Sequence, residues 1–168
     1  MPKRLIRVHG QVAYVPLTRG YVAVIDAADV PLVEGRNWSA VVDGQTVYAY
    51  GKCPDATGKP IQTKMHRHLL SAPSGVDVDH RNGDGLYNRR DNIRLATSSQ
   101  NHCNRSISKA NTSGFKGVSW DRQKGRWQAR IKLRGQQTWL GYFDTAEDAH
   151  KAYAAAATKL HGDFARVA

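Results

Sequence analysis

Between Arg126 and Gly162 the sequence changes its hydrophobic period, and this change constrains the fold of the last third of the chain more tightly than any other feature. RWQARIKLR alternates without a break. Trp127, Ala129, Ile131 and Leu133 share one parity, and Arg126, Gln128, Arg130, Lys132 and Arg134 share the other. A period of two describes a strand with one buried and one solvated face. FKGVSW before it and QTWLGYF after it read as its neighbours, the second entered through a turn at Gly135-Gln136. The spacing then becomes helical. In AEDAHKAYAAAATKLHG, Ala149, Ala152, Tyr153, Ala156 and Leu160 fall on one face. Asp144 or Thr145 caps this helix, Glu147 and Asp148 lie in its first turn where the dipole favours negative charge, and Gly162 ends it. The expectation over 114–168 is a three-stranded antiparallel sheet packed on one helix. The helix takes the apolar face of the sheet and leaves the basic face for a partner.

The charge balance suggests what that partner is. The chain carries 25 Lys+Arg against 14 Asp+Glu, a net +11. Residues 107–168 hold 11 basic and 5 acidic side chains, residues 77–106 hold 5 and 4, and residues 1–76 hold 9 and 5. Such an excess points to a polyanion, because cations that neutralise phosphates release condensed counterions. With 40% hydrophobic and 23% charged residues in 168, the chain is globular, with room for one ordinary domain or two small ones. No run approaches the roughly 18 apolar residues of a membrane span. MPKRLIRVHG begins basic but lacks the apolar segment of a secretory signal. The expectation is a cytoplasmic protein, in a phage-infected or bacterial cell, that is not secreted and has no membrane partner. Cys53 and Cys103 stand apart, outside any CxxC spacing, so free thiols and no structural zinc are expected.

Residues 1–70 read as short strands, LIRV, QVAYVPL, YVAVI, SAVV and TVYAY, divided by Gly, Pro and Asp. DAADVPLVEGRNW has room for one short helix ending at Gly35, and TKMHRHLLSAPSG for a short helix or strand stopped by Pro73. On a strand His66 and His68 share a face, where packing or a DNA-backbone contact is favoured over metal binding. From Val76 the chain reads as a strand (VDVDH), a loop (RNGDGLYNRRD) and a strand (NIRLA). Thr97-Ser98 then caps a helix over SSQNHCNRS. The polar, turn-forming residues 107–113 read as a linker.

Alone, Asp79-His80 is a polar turn that contains a histidine. Its surroundings give it chemistry. Hydrolysing a phosphodiester needs a base to activate water and a cation to stabilise the developing charge. A histidine of ordinary pKa near 6.5 can be that base. A carboxylate with an amide oxygen suits Mg²⁺ or Mn²⁺. Asn92 and Asn101 follow His80 at intervals of 12 and 21. A hairpin crossed by a helix would gather 79, 80 and 101, with Asn92 fastening the loop.

The run DHRNGDGLYNRRDNIRLATSSQN resembles the HNH motif, the ββα-metal module of phage and intron-encoded homing endonucleases, in the form DHxNGxxxxNRxxNLRxxTxxxN. The resemblance implies that His80 is the general base, that Asp79 and Asn101 hold a single Mg²⁺ or Mn²⁺ ion, and that Asn92 completes the catalytic set as loop clamp. Asn101 stands where the literal motif has His, a variant found among phage members. His102, one residue on, is rotated by about 100° on the helix. MHRHLL, Met65 to Leu70, resembles the segment that precedes the motif in phage relatives. FKGVSW, GRWQARI, WLGYFDTAEDAHKAYAAAA and LHGDFARV resemble the Apetala-type, or ethylene-response-factor, DNA-binding domain, which lays its sheet in the major groove. Ser119 and Asp121 depart from that family's first strand, so its target sequence does not carry over.

The expectation is therefore an α+β protein. A β-rich N-terminal region leads into an HNH module over 1–106 (motif core 76–106), and a linker at 107–113 joins it to an Apetala-type domain at 114–168. It would be a metal-dependent endonuclease of homing type acting on double-stranded DNA, without a small-molecule cofactor. The expected DNA contacts are Arg89, Arg90 and Arg94 beside the site, and Lys116, Arg126, Gln128, Arg130, Lys132, Arg134 and Trp139 on the C-terminal domain. The rival is a non-catalytic DNA-binding regulator with a decayed HNH module. Against it, every motif position holds a competent residue.

Overall fold

The computed structural model describes residues 4–167 except Ala56, Ser106, Lys109 and Arg134, so the expected contact at Arg134 lies outside the described residues. Contacts divide the chain into two compact units, Met1–Ala96 and Thr97–Ala168. Both mix antiparallel sheet with helix. Among the described residues no helix is long and apolar enough to cross a membrane.

The first unit holds two three-stranded sheets and a hairpin. Strands β1 (Arg7–His9), β2 (Val12–Pro16) and β3 (Val22–Asp26) form one sheet in that order. The second consists of β4 (Ser39–Asp43), β5 (Thr46–Pro54) and β6 (Pro60–Lys64). The hairpin pairs β7 (Asp77–His80) with β8 (Ile93–Ala96). Alternation drives Ala13, Val15, Ala23 and Ile25 inward from the first sheet, where they meet Trp38, Ala49, Cys53 and Met65 in one core. Trp38 satisfies its indole by donating to the Val33 carbonyl at 3.0 Å, at the end of the short helix α1 (Val30–Val33).

Two features depart from the sequence reading. Strand β6 went unrecognised, because PIQTK opens on proline and is polar, as suits an edge strand rather than a core one. The segment with the two upstream histidines is a helix, α2 (Met65–Leu69), so His66 and His68 do not share a face. Two helical positions are about 200° apart. His66 is buried at 4% exposure, whereas the His68 Nε2 lies 3.0 Å from the Leu32 carbonyl nearer the surface.

The second unit opens with α3 (Ser98–Cys103) and continues through β9 (Val118–Asp121), β10 (Arg126–Leu133) and β11 (Gln136–Phe143) to α4 (Ala146–His161). The central strand is β10. Thr145 caps α4 by accepting from the Asp148 amide. The buried stripe of α4 is Ala146, Ala149, Tyr153 and Ala157. Leu160, expected on that stripe, falls in the last turn and stays 38% exposed, because the buried clusters end at Ala157. Gly117, at φ +71°, lets the Tyr153 ring lie where a β-carbon would stand, 2.3 Å from the nearest ring atom. Alternation along β10 is broken against β11, where the register slips between Ala129 and Arg130 and Leu140 has no opposite residue.

Candidate active site and nucleic-acid face

The hairpin delivers the chemical residues. Asp79 and His80 close β7, both about 95% buried, and face Arg94 and Ile93 across the ladder. A cross-strand pair is close enough for an ion pair. The Arg94 guanidinium holds Asp79 Oδ2 at 2.7 Å through Nη2 and 2.9 Å through Nε, with both side chains at or below 10% exposure.

The twelve residues between His80 and Ile93 are held by side chains that copy backbone turns. Asn82 Oδ1 accepts from the Asp84 amide and Asp84 Oδ1 from the Leu86 amide, both at 2.9 Å. Asn92 then fastens the ends of the loop. Its Oδ1 accepts from the Asn82 amide at 3.0 Å, and its Nδ2 donates to Asn82 Oδ1 at 3.0 Å and to the Tyr87 carbonyl at 2.6 Å. The loop also pairs with β3. The Val24 amide donates to the Leu86 carbonyl at 2.8 Å, and the Asn88 amide donates to the Val24 carbonyl at 2.7 Å. At Gly85 a β-carbon would sit 2.5 Å from the Val47 carbonyl and 2.6 Å from the Tyr48 ring. Glycine there is what admits Tyr48 against the loop.

His80 is therefore enclosed. Its ring lies 5.9 Å from Tyr48 and 4.7 Å from His66, edge-on to the latter, and its Nε2 meets Asn88 Oδ1 at 3.0 Å. Burial pushes the His80 pKa below its usual value, partly opposed by the Asn88 hydrogen bond and by Asp79. An imidazole so placed is a neutral proton acceptor at physiological pH. His66 is pushed further, to about 2, by burial and then by His80, Lys64 and Arg67. Among the described residues its buried Nδ1 has no hydrogen-bond partner.

Sequence reasoning assigned no role to Asn88; for His66 it favoured packing or a DNA-backbone contact, and the ring packs against Tyr48 and His80. Asn88 is wholly buried, yet it follows Tyr87 in a loop that reads as polar and solvated. The available signal was the motif form itself, whose NR pair falls on Asn88-Arg89.

Asn101 lies on α3, in the second unit, while Asp79 and His80 lie in the first. Thr97 and Gln100 form a reciprocal capping box, and the Asn101 amide makes the first helical bond, to the Thr97 carbonyl at 2.9 Å. His102 turns outward with Nδ1 2.6 Å from the Ser98 carbonyl. Among the described residues no three His, Cys, Asp or Glu side chains converge as a ready cage for an ion. A carboxylate such as that of Asp79 and an amide oxygen such as that of Asn101 are each donors that a hard divalent cation accepts.

Four residues expected to touch DNA have protein partners. Arg89 holds Asp26 at 2.9 Å, and Arg90 grips the buried Asp29 with Nη2 at 2.7 Å and Nε at 2.9 Å. Burial alone would raise the Asp26 carboxyl. The Arg90 amide and the Arg89 guanidinium outweigh it and hold the group below its usual range. Arg94 is on Asp79, as above. The Lys116 ammonium donates to the Cys103 carbonyl and, at 2.8 Å, to the Arg105 carbonyl, and burial lowers its pKa.

The sheet face of the second unit is different. Arg126, Arg130 and Lys132 are exposed, as is Trp139 at 56%. Arg126 also reaches the exposed Asp144 at 2.8 Å. Gln128, expected beside them, is 9% exposed. It pairs with Ser119 and Tyr142, and the Tyr142 hydroxyl donates across the central strand to Asp121 at 2.9 Å, covering it.

A buried histidine in a clamped loop after a strand, followed by a basic, aromatic sheet, is an arrangement suited to a protein that handles nucleic acid. Family models carry this further. The HNH endonuclease model matches residues 71–103 and the AP2 domain model residues 113–163. Protein 3.8 of Escherichia phage T7 is 36% identical over 94 residues, covering 56% of this chain and 77% of that protein. The uncharacterized HNH endonuclease L560 of Acanthamoeba polyphaga mimivirus is 28% identical over 154 residues, covering 88% of this chain and 74% of its own. The ethylene-responsive transcription factor ERF084 of Arabidopsis thaliana is 53% identical over 57 residues, which are 33% of this chain and only 22% of the plant protein. No solved structure matches. The chain belongs to the HNH endonuclease family, and its C-terminal part is an AP2 domain; both domains indicate DNA binding.

Proposed function

We propose that the protein is a metal-dependent endonuclease that hydrolyses phosphodiester bonds of double-stranded DNA in the cytoplasm of a phage-infected or bacterial cell, as homing-type members of the family do. The observation that carries this reading is the buried His80, oriented by Asn88 within the segment that matches the HNH model. In this reading His80 takes the proton from the attacking water, and Asn92 keeps the loop that carries it in register. Asp79 and Asn101 hold the divalent ion, Mg²⁺ or Mn²⁺, which when bound supplies positive charge for the phosphoryl group and leaving oxygen. Arg94 holds the Asp79 carboxylate in place.

DNA is gripped by the C-terminal sheet. Arg126, Arg130 and Lys132 meet phosphates, and Trp139 offers a broad exposed ring beside them. Arg89, Arg90 and Lys116 serve the protein frame instead, since each already holds a carboxylate or carbonyls.

The test is a plasmid-nicking assay with Mg²⁺ or Mn²⁺, with and without a chelator, on the wild type and His80→Ala. Metal-dependent nicking that His80→Ala removes supports the reading. Nicking that survives the chelator, or survives His80→Ala, overturns it.

A further inference from the structure

We infer that Asn88 is a positioning residue for His80: it fixes the Nε2–H tautomer and thereby makes Nδ1 the atom that accepts the proton. The functional meaning of this rests on the nuclease reading above, but the geometry does not.

The inference follows from which groups can donate. An amide side chain looks nearly the same with its oxygen and nitrogen exchanged, so its orientation has to come from its partners. Around Asn88 the partners leave one choice. Nδ2 faces the Leu86 carbonyl at 3.0 Å and the Gly85 carbonyl at 3.5 Å, and carbonyls only accept. The NH₂ must therefore point at them, and Oδ1 must point at His80. Oδ1 also only accepts, so the imidazole nitrogen 3.0 Å away must carry the hydrogen. In a neutral imidazole that makes Nδ1 the basic nitrogen.

The arrangement is held from several sides. Asn88 is wholly buried, so water cannot replace it as acceptor. Its backbone amide is tied to Val24 on β3 at 2.7 Å, and Arg89 and Arg90, the next two residues, are tied to Asp26 at the end of the same strand. A strand more than sixty residues away in sequence thus fixes the acceptor that fixes the base.

Two substitutions separate this role from simple loop-holding. Asn88→Leu keeps the branched shape, at a larger volume, and removes both donor and acceptor. Asn88→Asp also loses the donor to Leu86 and Gly85 but keeps an acceptor toward His80. Long-range ¹H–¹⁵N NMR of the full chain, with His80→Gln to assign the signal, reads the tautomer directly.

The wild type and Asn88→Asp should show a hydrogen-bonded Nε2–H at His80. Asn88→Leu should lose its protection from exchange and gain an Nδ1–H fraction. In nicking assays Asn88→Leu should lower kcat by about 10- to 100-fold with KM for DNA little changed, and Asn88→Asp should retain more of it. An Nδ1–H tautomer in the wild type overturns the inference, and that measurement needs no Asn88 variant to fold. Equal loss of kcat in the two variants, with the tautomer unchanged in both, also overturns it by reducing Asn88 to a loop tie. If no form of the protein nicks DNA, the nuclease reading fails, while the NMR result still decides the tautomer.

Discussion

Three arginines of the hairpin and its loop and two cations of the C-terminal sheet look alike in sequence and are placed in opposite ways. Arg89, Arg90 and Arg94 lie within six residues of one another, and each is bound to an aspartate of its own unit, Asp26, Asp29 and Asp79. Arg130 and Lys132, two residues apart on β10, are exposed on the side away from Ala129 and Ile131. At these three positions charge serves geometry, because a long loop without a core of its own has to be tied to the sheets beside it. The sheet has a helix behind it, so its outer face is held flat without using those charges. A cluster of basic residues therefore announces a polyanion only where the fold has not already supplied the acid.

The comparison breaks first at the base. If the loop does the chemistry and the sheet the holding, as proposed, His80→Ala should lower nicking by about 10²- to 10⁴-fold while leaving DNA affinity within a few-fold. Parallel loss of affinity, read by fluorescence anisotropy, would place DNA-holding in the loop as well.

Next in size is the buried ion pair. Removing one partner strands the other charge, so Arg94→Leu should destabilise the metal-free first unit by about 3 kcal/mol. Mn²⁺ should then raise the melting temperature of Arg94→Leu by more than it raises that of the wild type, since the ion no longer competes with a guanidinium for Asp79. Equal shifts in the two proteins would mean that Asp79 does not meet the ion.

What was legible in the sequence follows the same division. The alternation of β10, the Thr145 cap, the Thr97 cap and the run from Asp79 to Asn101 are local patterns, and local patterns survive in one dimension. The motif marks Asn88 as a position but not its role, which depends on the fold that brings its side chain against His80, and Arg90 was misread because its partner Asp29 stands 61 residues away. His66 was misjudged for a local reason. Two-residue spacing means one face on a strand and opposite sides on a helix, and MHRHLL carries no cap or breaker strong enough to decide between them. Leu160 and Gln128 show the converse limit. Periodicity assigns a side chain to a face, but only packing decides whether that face is covered there.

A smaller effect comes from pH. The His66 pKa lies near 2 in the folded protein, against about 6.5 when unfolded, so between those values the unfolded chain binds the extra proton. Stability contributed by keeping His66 neutral is fully present above about pH 6.5 and is lost as pH falls below it, at no more than about 1.4 kcal/mol per unit. His80 shifts in the same direction and adds to the slope. His66→Phe, which keeps a ring beside Tyr48 and His80, should flatten the fall in melting temperature between pH 7 and pH 5. An unchanged slope would show that His66 is hydrated, and therefore not the buried neutral ring that its 4% exposure describes.

The smallest effect is the one that separates the two classes of cation most cleanly. Arg130→Ala and Lys132→Ala remove exposed side chains, so each should change stability by no more than about 0.5 kcal/mol. If each meets one phosphate, each should reduce the slope of log K against log salt by about 0.9. Arg126→Ala should reduce it by less, because Asp144 already neutralises part of that charge at 2.8 Å. Lys116→Ala should leave the slope unchanged and cost stability instead, since its ammonium holds the Cys103 and Arg105 carbonyls. Anisotropy titrations on one duplex at four salt concentrations, paired with melting curves, place every variant on both axes. A Lys116→Ala slope that falls as far as that of Arg130→Ala would show that internal hydrogen bonding does not withdraw a cation from DNA, and the distinction between loop and sheet would lose its physical basis.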